Sequence, residues 1–120
     1  MKLLAIGRPR PGVNAATAIA PLARAELTVV LELYRAGVIR EMYSRAEPGA
    51  VLVLETLTID TAAAALARLP LVANDLVEFE FIELRPFGAF DVLFPDQNAQ
   101  RRGNDSPRHA DNRERQTSDE

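Results

Sequence analysis

The side chains that could do acid–base chemistry lie close together in one stretch of the chain. Arg40, Glu41 and Tyr43 fall in a run of β-forming residues, and Glu55 falls near the end of the next such run. The intervening residues 46–49, Ala-Glu-Pro-Gly, are typical of a hairpin turn. A carboxylate and a phenol can transfer protons, and an arginine can bind a substrate anion. These four residues are therefore the candidate catalytic set.

The register of this hairpin decides which members of the set face each other. A four-residue turn predicts that Arg40 lies opposite Glu55 and Tyr43 opposite Leu52, whereas a slip of one residue would exchange the faces of one strand. Arg40 and Glu55 could form a structural ion pair, or Arg40 could bind a substrate carboxylate while Glu55 carries a proton. For Tyr43, a core position is favoured over a catalytic role. A cavity beside an unpaired Arg40 or Arg45 favours an enzyme, and a filled one with paired arginines favours a binding module.

Composition excludes most other catalytic devices. The chain has no cysteine, and its one histidine, His109, lies in a polar C-terminal stretch without a predicted scaffold. Thiol chemistry, a Ser-His-Asp triad and histidine-ligated metal or haem are therefore not expected. Neither a G-x-G-x-x-G motif nor a Walker A loop occurs. We expect no metal and no cofactor, which leaves cofactor-free acid–base chemistry or plain binding.

Charge and hydropathy limit the partners. The net charge is −3, from 14 basic and 17 acidic residues, with no basic stripe, so nucleic acid is not expected as a partner. The N-terminal apolar run is four residues long, from Leu3 to Ile6, which is too short for a signal peptide. No stretch reaches the length of a membrane span. We expect a cytoplasmic protein that does not bind membranes.

The order of predicted elements is β-α-β-β-α-β. Leu27, Val30, Leu33 and Tyr34 recur at helical spacing, and Gly37 suits the end of that helix. Thr58 suits the N-cap of the second helix, which ends before Pro70. The predicted strands are residues 2–8, 38–45, 50–57 and 76–85. This order predicts an α+β, ferredoxin-like fold, with an antiparallel four-stranded sheet and two helices on one face.

The composition changes after Phe94. Residues 1–94 carry nearly all the apolar side chains and are expected to form the folded domain, whereas residues 95–120 are expected to be a disordered polar tail. Phe87, Phe90 and Phe94 are too apolar for a solvent loop and are expected to cover a partner or a sheet edge. A domain this small has a thin core, and both faces of the hairpin are apolar, so we expect a homodimer.

Residues 37–84 contain a series of motifs in a fixed order: Gly37, the strand Arg40-Glu41-Met42-Tyr43, the β run at 50–57, the capped helix at 58–68, Leu69-Pro70-Leu71 and the closing run at 76–84. This series resembles the pattern of the muconolactone isomerase family. It is moderately specific for the family and weakly specific for the reaction. It implies a dimeric α+β barrel in which two four-stranded sheets pack face to face.

The resemblance also implies a proton shift in an unsaturated lactone through an enolate. Arg40 and Tyr43 match the family pattern, but the chain has Glu41 and no counterpart where the family carries histidine and lysine. The leading hypothesis is a cofactor-free isomerase acting on a small, hydrophobic unsaturated lactone or carboxylate. The alternatives are a non-catalytic dimeric module that binds a small molecule or assists an enzyme, and, less favoured, a cofactor-free monooxygenase.

Overall fold

A computed structural model describes residues 1–94 of the protein. The predicted disordered tail at residues 95–120 lies outside the described residues. The chain divides into two compact units, Met1–Arg85 and Pro86–Glu120. The candidate catalytic residues all belong to the first unit, which contains the whole sheet.

The first unit follows the predicted order of strands and helices. Its strands are β1 (Lys2–Pro9), β2 (Ile39–Ser44), β3 (Ala50–Glu55) and β4 (Val77–Leu84), and its α-helices are α1 (Ala23–Arg35), α2 (Ile59–Leu66) and α3 (Pro70–Ala73). The sheet order is β2-β3-β1-β4, and all three neighbouring pairs are antiparallel. The predicted ferredoxin-like α+β fold is therefore confirmed.

Local sequence explains where the helices begin and end. Gly37 has φ +82°, and the N–H of Val38 donates to the carbonyl of Leu33 at 3.0 Å, which closes α1 in a Schellman arrangement. Thr58 caps α2 by accepting the N–H of Thr61 at 3.0 Å, as predicted. Pro70 does not merely end a helix; it begins the short helix α3.

The segment before α1, predicted as a connection, contains two helical turns. Ala15–Ile19 is a π-helical turn whose N-cap, Asn14, accepts the backbone N–H groups of Ala16 and Thr17. Pro21 lies in the following 3-10 turn, Ala20–Leu22, so α1 begins only at Ala23. These turns matter because they supply part of the cavity wall described below.

One face of the sheet holds the hydrophobic core. Leu3, Ala5, Leu52 and Leu54 are buried there, and they pack with Leu33 of α1 and with the helical segment that follows β3, where the buried residues are Ala62, Leu66 and Leu69. We call this the covered face. The opposite, open face carries side chains that do not belong to the core, namely Leu4, Ile6, Val51, Val53, Ile82 and Leu84.

The predicted hairpin register is wrong. Tyr43 lies opposite Val51, not Leu52, because the connection between the two strands is five residues long (45–49) instead of four. The ladder shifts again between Ile39 and Glu41, so Arg40 is the extra residue of a β-bulge and is not paired with Glu55. A turn prediction counts only the loop residues, and it cannot detect a bulge that inserts one residue into a strand.

The second unit is described from Pro86 to Phe94. It contains a 3-10 turn at Ala89–Leu93, and the rings of Phe87 and Phe90 meet edge to face with centroids 5.4 Å apart. Phe87, Phe90 and Phe94 are all exposed. Their predicted role in covering a partner or a sheet edge stays a prediction.

No helix in residues 1–94 is long and apolar enough to cross a membrane.

Candidate functional site

A cavity of about 490 Å³ lies on the covered side of the sheet. Its volume is in the range of small-molecule sites. Residues of all four strands, of the Ala15–Ile19 turn, and of α1 and α3 contribute to the lining, which is mostly apolar. The lining consists of Gly7, Pro9, Ala15, Ile19, Glu26, Leu27, Val30, Met42, Tyr43, Ser44, Pro48, Gly49, Ala50, Leu52, Leu71, Val77 and Phe79.

Among the residues that the structure describes, Glu26 supplies the one charged side chain in this lining. It projects from the first turn of α1 and is half-buried, and its carboxylate accepts the backbone N–H of Leu71 at 3.0 Å. Leu71 lies in the first turn of α3, where a helix has N–H groups without internal partners. Burial raises the pKa of Glu26, because the charged form loses hydration, and the Leu71 hydrogen bond opposes this shift only in part.

Ser44 adds a hydroxyl group to the lining from the edge strand β2. The register places Ser44 opposite Ala50, on the covered side, and its hydroxyl makes no hydrogen bond to any residue from 1 to 94. Tyr43 lies opposite Val51, so its side chain projects to the open face, where the phenol donates to Glu41 at 2.7 Å. That hydrogen bond, together with the negative charge of Glu41, raises the pKa of Tyr43 and keeps the phenol protonated.

The structure brings together only two of the four residues predicted from the sequence. Glu41 and Tyr43 form the pair just described, whereas Glu55 is ion-paired with the N-terminal ammonium of Met1 at 2.7 Å. The hydrogen bond that this ammonium donates to Glu55 is the main cause of the lowered pKa of Glu55. Arg40 donates from Nε to the carbonyl of Gly37 at 2.8 Å, and in the described part of the chain it has no ion-pair partner.

An unpaired Arg40 or Arg45 beside a cavity was expected for an enzyme, and paired arginines beside a filled cavity for a binding module. The structure combines one feature of each. A cavity is present, but Arg40 does not line it. Arg45 is paired, because its guanidinium contacts Glu47 at 3.1 Å and the carbonyl of Gly7 at 3.5 Å. Neither arginine is therefore available in the cavity as an unpaired cation.

Two glycines fix the strand side of the cavity. Gly7 of β1 lies opposite Phe79 of β4, and the Phe79 ring occupies the space where a Cβ at position 7 would lie. Gly49 has φ +132°, and a Cβ there would collide with the carbonyl of Gly7. A side chain at either position would displace the wall of the cavity, since both glycines line it.

No group of three or more His, Cys, Asp or Glu side chains within the described range 1–94 is arranged to hold a metal ion. Within the same range, the carboxylate and hydroxyl side chains that face the cavity are those of Glu26 and Ser44, among apolar walls.

Sequence reasoning missed Glu26, although a signal was present. Glu26 precedes Val30 by four residues and Leu33 by seven, so it occupies a position in the apolar stripe of α1. The stripe predicted from the sequence included Leu27 and Tyr34, which are 65% and 49% exposed in the structure. The side of α1 that packs against the core is formed instead by Val29, Val30 and Leu33. A carboxylate inside an apolar stripe is the pattern that identifies such a residue.

Comparison with known proteins places the fold but not the family. No protein-family model matches the sequence, and no curated protein matches it significantly. Among solved structures, the chain is similar to 5-chloro-2-hydroxyhydroquinone dehydrochlorinase (TftG) from Burkholderia phenoliruptrix AC1100, in complex with 2,5-dihydroxybenzoquinone. The TM-score is 0.59 at 16% sequence identity, over 71% of this chain and 94% of that one. This similarity agrees with the α+β fold derived from the strand order.

Proposed function

We propose that the protein is a cofactor-free enzyme that moves a proton within a small unsaturated ring compound, with Glu26 as the catalytic base. The observation that carries this proposal is a half-buried carboxylate with a raised pKa in an apolar cavity. A carboxylate whose pKa lies closer to neutrality is a better general base, because it takes up a proton more readily and can still return it.

The reaction we propose is a shift of a carbon–carbon double bond in a lactone. Glu26 removes a proton from the carbon next to the carbonyl, and the C–H electron pair becomes part of an enolate. Ser44 donates a hydrogen bond to the enolate oxygen. Glu26 then returns the proton at the far end of the conjugated system, so that the double bond moves and no atom is gained or lost.

The fold comparison supports the general class of this chemistry. By its name, the similar protein TftG removes hydrogen chloride from a chlorinated, hydroxylated ring. Such an elimination also requires proton transfer on a small oxygenated ring compound. The preference for isomerisation over elimination comes from the resemblance of residues 37–84 to the muconolactone isomerase family.

Tyr43 and Glu41 have no catalytic role in this proposal. Their side chains lie on the open face, where the Tyr43 phenol donates a hydrogen bond to Glu41. Arg40 and Glu55 do not line the cavity, and we assign them no contact with the substrate.

A non-catalytic module that binds a small molecule is the second candidate. The observation that favours it is that both nearby arginines are engaged elsewhere, Arg45 with Glu47 and Arg40 with the Gly37 carbonyl. A site of this kind would bind the same ligands as the enzyme without exchanging their protons, so the two candidates differ in one measurable property.

Proton exchange measured by NMR separates these candidates. The protein is incubated in D₂O with a β,γ-unsaturated γ-lactone, and deuterium incorporation next to the carbonyl is followed together with migration of the double bond. We expect Glu26→Gln to lower the exchange rate about 10²–10⁴-fold, because the amide cannot accept the proton. Glu32→Gln is the matched control, since Glu32 lies on the same helix but forms a surface ion pair with Arg68 at 2.7 Å.

The same experiment can defeat the proposal. Equal exchange by the wild type and Glu26→Gln would exclude Glu26 as the base. Binding of the lactone by the wild type without any exchange would favour the non-catalytic module.

A further inference from the structure

The charges around the cavity restrict what can enter it. Among residues 1–94, Glu26 gives the lining its single negative charge, and the polar side chain of Ser44, which faces the same cavity, is neutral. The remaining lining side chains are apolar, so they offer no hydrogen bonds in place of the hydration that an anion would lose on entering. An anion bound in this cavity would face the charge of Glu26, and water that reaches exposed lining residues such as Leu27 only partly screens that repulsion.

The cation that approaches the cavity within residues 1–94 is already paired. The Arg45 guanidinium, which reaches the carbonyl of Gly7, contacts Glu47 at 3.1 Å. The pairs Arg8–Glu80 at 3.5 Å and Arg10–Glu78 at 3.7 Å lie on the open face, away from the cavity. A carboxylate ligand would have to break the Arg45–Glu47 pair to gain a counter-ion, or remain without one.

The polar groups present fit a neutral ligand that has an O–H or acidic C–H at one end and a hydrogen-bond acceptor at the other. The Glu26 carboxylate accepts hydrogen bonds or protons, and it matches an O–H or an acidic C–H. The Ser44 hydroxyl has no partner among the described residues and can donate to a carbonyl oxygen. A cyclic ester or ketone with an acidic C–H presents both features on one small ring.

The volume of the cavity indicates that the ligand carries a substituent on its ring. A single five-membered lactone ring is much smaller than the cavity volume of about 490 Å³. The surplus space is bounded by side chains such as Val30, Leu52 and Phe79, which favour alkyl or aryl groups.

From the charge of Glu26, the hydroxyl of Ser44 and the volume of the cavity, we infer that the cavity selects an uncharged ring carbonyl compound with an apolar substituent. The corresponding carboxylate is rejected. This inference rests on the proposed function, because it identifies the cavity as the substrate site. It narrows the substrate class, since a lactone or a carboxylate was expected from the sequence and only the neutral lactone fits the charges.

Calorimetric titration with two matched lactones tests the selection. One is a butenolide with a γ-pentyl chain, and the other carries a γ-(4-carboxybutyl) chain of similar length. We expect the wild type to bind the carboxylate roughly tenfold or more weakly than the pentyl compound. In Glu26→Gln this difference should shrink, because the negative charge is gone, and in Glu32→Gln it should stay as in the wild type.

Equal or tighter binding of the carboxylate by the wild type, or binding of neither compound, would overturn the inference. So would an unchanged preference in Glu26→Gln, because the selection would then not arise from that charge. Failure of the proposed function has a different signature, in which the pentyl lactone binds preferentially and its protons do not exchange. Exchange on a tightly bound carboxylate would retain the function and reject the inference.

Discussion

The two faces of the sheet are built from the same strands, yet different groups surround them. Leu3 on the covered face is fully buried by the helices, whereas its neighbour Leu4 on the open face is half-buried and lies between Val53 and Ile82. The edges of the open face carry ion pairs, such as Arg8–Glu80 and Met1–Glu55. Strand alternation thus produces two apolar surfaces, of which the helices of the same unit cover one.

Two carboxylates show the same contrast in their ionisation. Burial raises the pKa of Glu26 beside the cavity, whereas a hydrogen bond from the N-terminal ammonium lowers the pKa of Glu55 at the end of β3. The side chains are chemically identical, so the difference comes only from what surrounds them. The covered side therefore provides a proton acceptor, and the open side provides a stable anion.

The largest effect that we expect is a difference between the two faces in how much a mutation lowers the free energy of unfolding. Leu3→Ala should lower the free energy of unfolding by about 2–5 kcal/mol, because it leaves a void in the core. Leu4→Ala removes the same side-chain atoms from a half-buried site, so it should lower the free energy of unfolding less than half as much. The comparison is made at low protein concentration, where the homodimer proposed below is dissociated. Urea denaturation of both variants measures this difference. Equal losses would mean that the open face is as well packed as the core.

The next effect concerns what covers the open face. We propose that a second copy of the chain does so, and we expect a homodimer at micromolar concentration. Leu4→Glu places a charge in this apolar surface and should weaken dimerisation by roughly tenfold or more. The control is Leu57→Glu, because Leu57 is 88% exposed and lies just after β3. Sedimentation equilibrium gives the dissociation constants, and a wild-type monomer at this concentration would reject the proposal.

A smaller effect should appear in the pH dependence of stability. The pKa of Glu26 is raised in the folded protein, so the folded state holds this proton more tightly than the unfolded chain. Its contribution to stability is therefore full at low pH and declines as the pH rises from the ordinary glutamate range through the raised pKa. Melting temperatures should show that Glu26→Gln gains stability relative to the wild type over that interval. A constant difference between the two proteins would contradict the shift.

The smallest effect is expected for Arg40 and Glu55. These residues do not form an ion pair, and Arg40 contributes only a minor part of the lowered pKa of Glu55. A double-mutant cycle with Arg40→Leu and Glu55→Gln should therefore give a coupling energy near zero. Strong coupling would restore the cross-strand pair that the sequence suggested. Either result also tests the bulge, since that extra residue separates the two side chains.

The sequence by itself determined the order of the elements and, through it, the fold class. Strand alternation, the Thr58 cap and the Gly37 stop depend on interactions within a few residues, so they can be identified without tertiary information. The same local patterns located Tyr43 and Glu41 on one strand, two residues apart. They also contained a signal for Glu26, its position in the apolar stripe of α1, although Glu26 was not among the residues predicted from the sequence.

Only the tertiary structure decided which polar groups meet. The bulge at Arg40 separated it from Glu55, and the packing of α1 against α3 placed the Glu26 carboxylate beside the N–H of Leu71. These contacts join residues that are distant in sequence, and each depends on the exact register of a strand or the exact rotation of a helix. Local patterns do not specify either quantity, because a change of one residue alters the contacts and leaves the pattern the same.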